Sequence, residues 1–409
     1  MLHPLAFSTI HRIIDVGRKY GFHCFQWNVS GNAIEVTTDR KTLFRWRILG
    51  TAQLLYCIFI YARLYQSVVV FGVPIEKCTV HVTFVAAYSF YTGTTFNSVR
   101  KREEIAEFLT NFFKVDGLFK PLKHQEAKIK EFGKLVRLLY FLCINTGILH
   151  APLFLALSNN ANFIFSVLSP HFIRFPLLYP VLKFCFAMLE MLMGLAAWGA
   201  SAVVYTISFC VVANSLPAWA EVMKYDVTWR AIPLPRQRYY RIVQLLMLQF
   251  NDCFAYDAFL TISALSYVGM VICAFATIRY YGVIPFLAYA VFPTAAILIA
   301  LYVFLLYPSA GRASESHTRM VRQWGYIESH IKTERLEGNS ETSQPHRSRN
   351  WGIIARAQEF NKRKYNLAFL RSCRQIGFQV GPLFNVKPGT TLNFADMVID
   401  QLINCLISF

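Results

Sequence analysis

The closing stretch Thr391-Leu-Asn-Phe-Ala-Asp-Met-Val-Ile-Asp-Gln-Leu-Ile-Asn-Cys-Leu-Ile-Ser-Phe409 decides how this chain is read. At about 100° per residue on a helical wheel, Asn393, Asp396, Asp400, Gln401, Asn404 and Ser408 fall within an arc of roughly 140°. Phe394, Met397, Val398, Ile399, Leu402, Ile403, Leu406 and Phe409 make the remaining face apolar. The length suits a membrane crossing, which takes roughly 20 mostly apolar residues. An Asp at bilayer depth costs about 2.5–3.5 kcal/mol, so it faces protein or water rather than lipid. Two Asp one turn apart, with no Lys or Arg in the stretch, suit a water-filled lumen, where several copies around an axis would form carboxylate rings that attract cations. The same stripe also suits packing against other helices of one subunit.

The rest of the chain has the composition of a polytopic membrane protein. Of 409 residues, 55% are hydrophobic and only 16% charged, against about 25% charged in soluble domains. Apolar runs at 48–71, 75–96, 135–157, 184–213, 256–278 and 283–307 give six further spans, so seven are expected. No cleavable leader is legible, because the first 47 residues hold seven Lys/Arg and only short apolar patches. Of the 41 Lys/Arg, only Lys77, Arg174, Lys183 and Arg279 fall outside if the N-terminus is cytoplasmic, and Arg63 lies within the first span. The net charge of +18 is therefore a topology signal rather than a nucleic-acid footprint. The N-terminus is expected inside and the C-terminus outside. The sequon Asn28-Val-Ser30 argues for the opposite orientation and is outweighed by the charge count.

Outside connections are short, whereas inside ones carry helical periodicity. Ile105, Phe108, Leu109 and Phe112 recur at helical spacing, which fits either a helix on the membrane surface or a cytoplasmic extension of the bundle. Tyr240, Val243, Leu246 and Phe250 do the same, and no breaker separates them from the next span. Gly338–Ser348 is poor in apolar residues and reads as a linker. The ten Cys are scattered and read as small buried hydrophobes. No phosphate loop, zinc motif or nucleophile elbow is present, and the ten His lack metal spacing, so neither an enzyme nor a metal or cofactor site is expected.

Aromatic residues with a few polar groups, the make-up of a small-molecule site, occur within the spans: His81, Phe84 and Tyr88 on span 2, Thr146, His150 and Phe154 on span 3, Glu190 and Trp198 on span 4, and Tyr289 on span 6. Each aromatic also suits ordinary helix packing, and each His a hydrogen bond between helices. Glu190 stands apart, because a carboxylate inside a membrane is paired or functional. Arg63 is one candidate partner; it also suits snorkelling outward.

Leu370-Arg-Ser-Cys-Arg-Gln-Ile-Gly-Phe-Gln-Val-Gly381-Pro-Leu-Phe384-Asn-Val, followed by the polar-striped last helix, resembles the C-terminal region of the arthropod gustatory and odorant receptor superfamily. Tyr239–Asn251 resembles its stretch before span 5, and the inverted seven-span layout is similar throughout. Where that family ends in Thr-Tyr, five apolar residues and Gln-Phe, this chain has Gln401-Leu402, Ile403–Ile407 and Ser408-Phe409, which fits a divergent gustatory-type member.

The resemblance implies a plasma-membrane receptor for a small-molecule tastant or odorant, with His81, Tyr88, His150, Phe154, Glu190, Trp198 and Tyr289 lining a ligand pocket in the outer half of the bundle. Four identical or related subunits would surround one non-selective cation pore in the lipid bilayer, with Asp396, Asp400, Gln401, Asn404 and Ser408 lining it. On that plan 1–47 is a cytoplasmic arm. Residues 48–309 form a six-helix bundle with cytoplasmic extensions at 98–134 and 214–255. Then come a flexible linker at 310–349, an anchor segment at 350–388 and the seventh, pore-lining helix at 389–409. The rival from another class is a secondary transporter that couples ions through Glu190 and the two Asp. Inverted repeats would favour it, and no repeat stands out.

Overall fold

The computed structural model describes residues 2, 4–28, 33–74, 78–119, 125–158, 160–172, 174–175, 177–201, 208–224, 236–284, 286–337, 368–373 and 376–408. Its elements are α1 (Pro4–Tyr20), β1 (Phe25–Asn28), β2 (Ala33–Val36), α2 (Arg40–Tyr65), α3 (Thr79–Arg100), α4 (Arg102–Leu118), α5 (Glu126–Leu157), α6 (Phe165–Phe172), α7 (Leu178–Ser201), α8 (Val212–Lys224), α9 (Arg236–Phe254), α10 (Leu260–Arg279), α11 (Phe286–Glu337), β3 (Gln379–Val380), β4 (Phe384–Asn385) and α12 (Thr390–Ser408). Single π-helical turns extend α2 over Gln66–Val70 and join α9 to α10 over Ala255–Phe259.

The fold is helical, as expected, with two short antiparallel hairpins that the sequence did not announce. By length and composition, five helical stretches among the described residues suffice to cross a bilayer: Arg40–Val70, Glu126–Leu157, Leu178–Gly199, Gln237–Arg279 and Tyr289–Tyr326. The seven-span expectation adds α3, of 22 residues, and α12, of 19. Both are long enough at about 1.5 Å per residue, but Thr, Asn and His on α3 and the polar stripe on α12 dilute their apolar character.

The packing has two centres. A large core joins the N-terminal arm, α4, α8, α9, α11 and the β3–β4 hairpin. Here Ile105, Phe108, Leu109 and Phe112 are buried, so α4 is a packed extension of the bundle rather than a surface-lying helix. Thr110 Oγ1 accepts from Ile34 N at 2.8 Å and donates to Ile34 O at 2.9 Å, which seats the β1–β2 hairpin on α4. Asp116 accepts from Trp219 Nε1 at 3.0 Å and from Leu2 N at 2.9 Å, tying α4 to α8 and to the N-terminus. His23 Nδ1 accepts from Phe25 N at 3.2 Å and Nε2 faces Ile13 O at 3.3 Å; burial holds the ring neutral by lowering its pKa to about 4. A smaller core joins α2, α3, α5, α7 and the segment around Phe163 and Phe165.

The segment expected as a flexible linker from 310 is instead helical as far as Glu337. Ala310, Ala313, Ser314, His317, Met320 and Trp324 recur at helical spacing and are buried against the large core. That stripe uses small and polar residues, so composition hid it. The core of the expected linker, Gly338–Ser348, lies outside the described residues, as do 350–367, 374 and 375 of the expected anchor, Ser30 of the sequon, Lys77 and Phe409. Gly311 has a specific role in this helix. A Cβ there would lie 2.7 Å from Pro388 N and 2.8 Å from Lys387 C, so only glycine lets the strand leading to α12 cross α11 this closely.

Candidate functional site

Glu190, on α7, is 1% exposed, and its Oε1 accepts from the Tyr56 hydroxyl at 2.6 Å. The same hydroxyl lies 3.3 Å from Asn162 O, which draws α2, α7 and the chain after α5 to one point. Tyr88 stands beside it, with ring centroids 4.8 Å from Tyr56 and 6.4 Å from Phe84. Phe163 closes the wall edge-on, 5.6 Å from Phe84 and 5.1 Å from Phe154, and Trp198 lies 5.5 Å from Tyr91. Buried polar atoms in this cluster, among them Glu190 Oε2, Tyr88 Oη and Asn162 Nδ2, have no hydrogen-bond partner among the described residues. Leaving such groups unsatisfied costs about 1–3 kcal/mol each, and functional sites are one place where that cost is tolerated.

Of the seven expected ligand-binding residues, Tyr88, Phe154, Glu190 and Trp198 meet in this cluster. His81 sits at its edge, with Nε2 2.9 Å from Ile60 O on α2. His150 bonds within its own helix, 2.9 Å from Thr146 O, and its ring lies over Gly194, where a Cβ would come within 2.7 Å of it. Tyr289 is elsewhere: its hydroxyl donates to Thr277 O at 3.1 Å and its ring meets Tyr281, far along the chain from the cluster residues. Arg63 is not the partner of Glu190, because its Nη1 donates to Gln66 Oε1 at 2.6 Å in the π-helical end of α2. Tyr56 and Asn162 were missed. The signal for Tyr56 was present, since Gln53 and Tyr56 stand about one turn apart inside the apolar middle of α2.

The second candidate element is α12, which divides into three sectors. Thr391, Phe394, Val398, Leu402 and Cys405 recur every three or four residues and are at least half-buried. Phe394 contacts the rings of Tyr267 and Tyr307, both at 6.1 Å, which seats α12 on α10 and α11. Leu392, Ile399, Ile403 and Leu406 form an exposed apolar sector. Asp396, Asp400, Gln401, Asn404 and Ser408 are all exposed and occupy the third, which they share with the exposed Met397 and Ile407. In a single chain the polar stripe thus turns away from the chain's own helices.

At the opposite end of α5 from the aromatic cluster, a cleft of about 970 Å³ opens between α5, α8 and α11. It carries charges of both signs, among them Lys128, Glu131, Glu221, Arg312, Glu315 and Arg319. Among the described residues no group of three or more His, Cys, Asp or Glu is arranged to hold a metal ion.

No protein-family profile matches the sequence. No curated protein matches it either. Solved structures do share its fold. The insect olfactory receptor OR5 from Machilis hrabei superposes over 98% of this chain and 97% of that one, with a TM-score of 0.60 at 13% identity. The same receptor in complex with eugenol superposes over 98% of each chain, with a TM-score of 0.61 at 12% identity. The chain therefore shares the fold of that receptor over nearly its whole length.

Proposed function

We propose that the chain is one subunit of a ligand-gated, non-selective cation channel of the arthropod chemoreceptor superfamily, gustatory in type and placed in the plasma membrane. Seven helices cross the bilayer with the N-terminus inside, and four like subunits surround the pore. The observation that carries this reading is the division of α12 into a seated sector, an exposed apolar sector and an exposed polar sector. A helix packed within a lone subunit would hide its carboxylates. A helix at a pore rim offers one face to its own bundle, one to a neighbour or lipid, and one to water. Asp400 and Asn404 then line the conduction path, with Asp396 nearer the cytoplasm.

The ligand is a small molecule held among Tyr56, Tyr88, Phe154, Asn162, Glu190 and Trp198. Glu190 Oε2, Tyr88 Oη and Asn162 Nδ2 offer it hydrogen bonds inside an aromatic wall. The fold shared with OR5, which has been solved with eugenol, supports a ligand of that size. Tighter binding to the open form shifts the population towards it. Glu190 and the two Asp belong to separate regions, on α7 and α12, so they do not form the common coupling site that a transporter would need.

The test is electrical. The purified protein in planar bilayers is expected to give unitary cation currents, and Asp400→Lys to suppress them while surface expression in cells persists. Slow saturable flux without unitary steps would instead identify a carrier.

A further inference from the structure

We propose that the π-helical turn Ala255–Phe259 is a joint that passes movement of α3 on to α12, with Asp257 as its receiving residue and Asn251 as its delivering residue. The proposal rests on α12 being the pore helix.

The receiving side is at the end of α3. Asp257 Oδ2 lies 3.6 Å from Arg100 Nη1 and 3.8 Å from Lys101 Nζ, so two cations at one helix end share one carboxylate oxygen. Lys101 Nζ also donates to Asp252 O, in the last turn of α9. The helix that carries these cations also carries Phe84 and Tyr88 of the aromatic cluster. From Tyr88 to Arg100 is about 18 Å of uninterrupted helix at about 1.5 Å per residue. Thr95 Oγ1, which donates to Gln53 Oε1 at 3.0 Å, keeps α3 in register with α2.

The delivering side is the hairpin before α12. Asn251 Nδ2 donates to Gly377 O at 3.0 Å, and Asn251 Oδ1 accepts from Gln379 N at 3.1 Å. One side-chain amide thus pairs with the backbone as a neighbouring strand would. Gly381 N donates to Ala255 O at 2.8 Å, inside the π-helical turn itself. A π turn misaligns the helical ladder and turns carbonyls towards outside donors, and such turns are frequent at functional sites. Here the carbonyl of Asp252, in the last turn of α9, and the carboxylate of Asp257 take their partners from the α3 end, and the carbonyl of Ala255 takes its donor from the hairpin, so α3 and the hairpin hold the π turn and its approach from two sides. From the hairpin the chain crosses α11 at Gly311 and enters α12 within a few residues.

Hydrogen exchange on the full-length protein in lipid nanodiscs tests the joint without any ligand. Replacing Arg100 and Lys101 together by Ala, or Asp257→Asn alone, is expected to speed exchange of the Gln379 and Gly381 amides at least threefold. Asn251→Leu should speed it too, and should remove any further effect of Asp257→Asn. Should Asn251→Leu fail to fold, Asn251→Asp keeps the acceptor for Gln379 N, loses the donor to Gly377 O, and serves in its place. Exchange at these amides that ignores Asp257→Asn, or effects of the two substitutions that simply multiply, would overturn the joint.

In planar bilayers with symmetrical NaCl, with and without eugenol, the same variants are expected to change open probability with unitary conductance unaltered. Changed conductance would instead put these residues in the permeation path and refute a positioning role. A native protein that gives no unitary current at all sinks the channel reading, while the exchange experiment still decides the joint.

Discussion

Glu190 and Asp400 are both carboxylates on helices that run through an apolar bundle, yet the fold treats them oppositely. Glu190 is buried, takes a short hydrogen bond from Tyr56 and is ringed by aromatic side chains. Asp400 is exposed, and so are Asp396, Gln401, Asn404 and Ser408 beside it. A buried carboxylate must find its donors inside the chain, whereas an exposed one must find them beyond it. Polarity in an apolar segment is therefore not one signal. Its meaning depends on whether the same helix also offers an apolar face to its own bundle, as α12 does through Phe394 and Val398.

The comparison breaks most easily at Asp400. Asp400→Lys puts a cation into each polar sector, and cation current is expected to fall at least tenfold with surface expression retained. Unchanged current, read by patch clamp, would return α12 to simple packing. Gly311→Ala comes next, because a Cβ 2.7 Å from Pro388 N displaces backbone rather than a flexible side chain. Overpacking of that kind costs about 1–3 kcal/mol. Thermal unfolding in detergent should show that loss, and exchange in the first turn of α12 should quicken.

Tyr56→Phe sharpens the other side of the comparison. It keeps the ring and removes the donor to Glu190, leaving a buried acceptor unpaired at a cost of about 1–3 kcal/mol. Unitary conductance is expected to stay the same while the melting temperature falls. Glu190→Gln should be the mildest in stability, below about 1 kcal/mol, since the amide oxygen still accepts from Tyr56. Its effect should appear in the ligand dose–response alone, and altered ion selectivity in this variant would erase the distinction between the two regions.

Much of the fold was legible because periodicity survives tertiary packing. Ile105, Phe108, Leu109 and Phe112 marked α4, and Tyr240, Val243, Leu246 and Phe250 marked α9, each buried where the spacing put it. The continuation of α11 was not legible, because Ala310, Ser314 and His317 are poor markers of a buried stripe even though they form one. Four of the seven expected ligand-site residues meet in one cluster, because they share helix faces. Tyr289 does not, since one residue on a helix gives no account of which neighbour its helix packs beside. The Asn251 grip on the hairpin spans 126 and 128 residues of sequence and rests on an amide aligned with backbone groups. No periodicity encodes such a contact; the π turn that accompanies it has no sequence mark either.

The narrow seat of α12 has a consequence for biogenesis. On the proposed pore arrangement, an orphan copy in the bilayer would hold two carboxylates against hydrocarbon, at about 2.5–3.5 kcal/mol each, with no sister chain to shield them. On that arrangement the residues that suit a lumen would also disfavour stray protomers until the ring is closed.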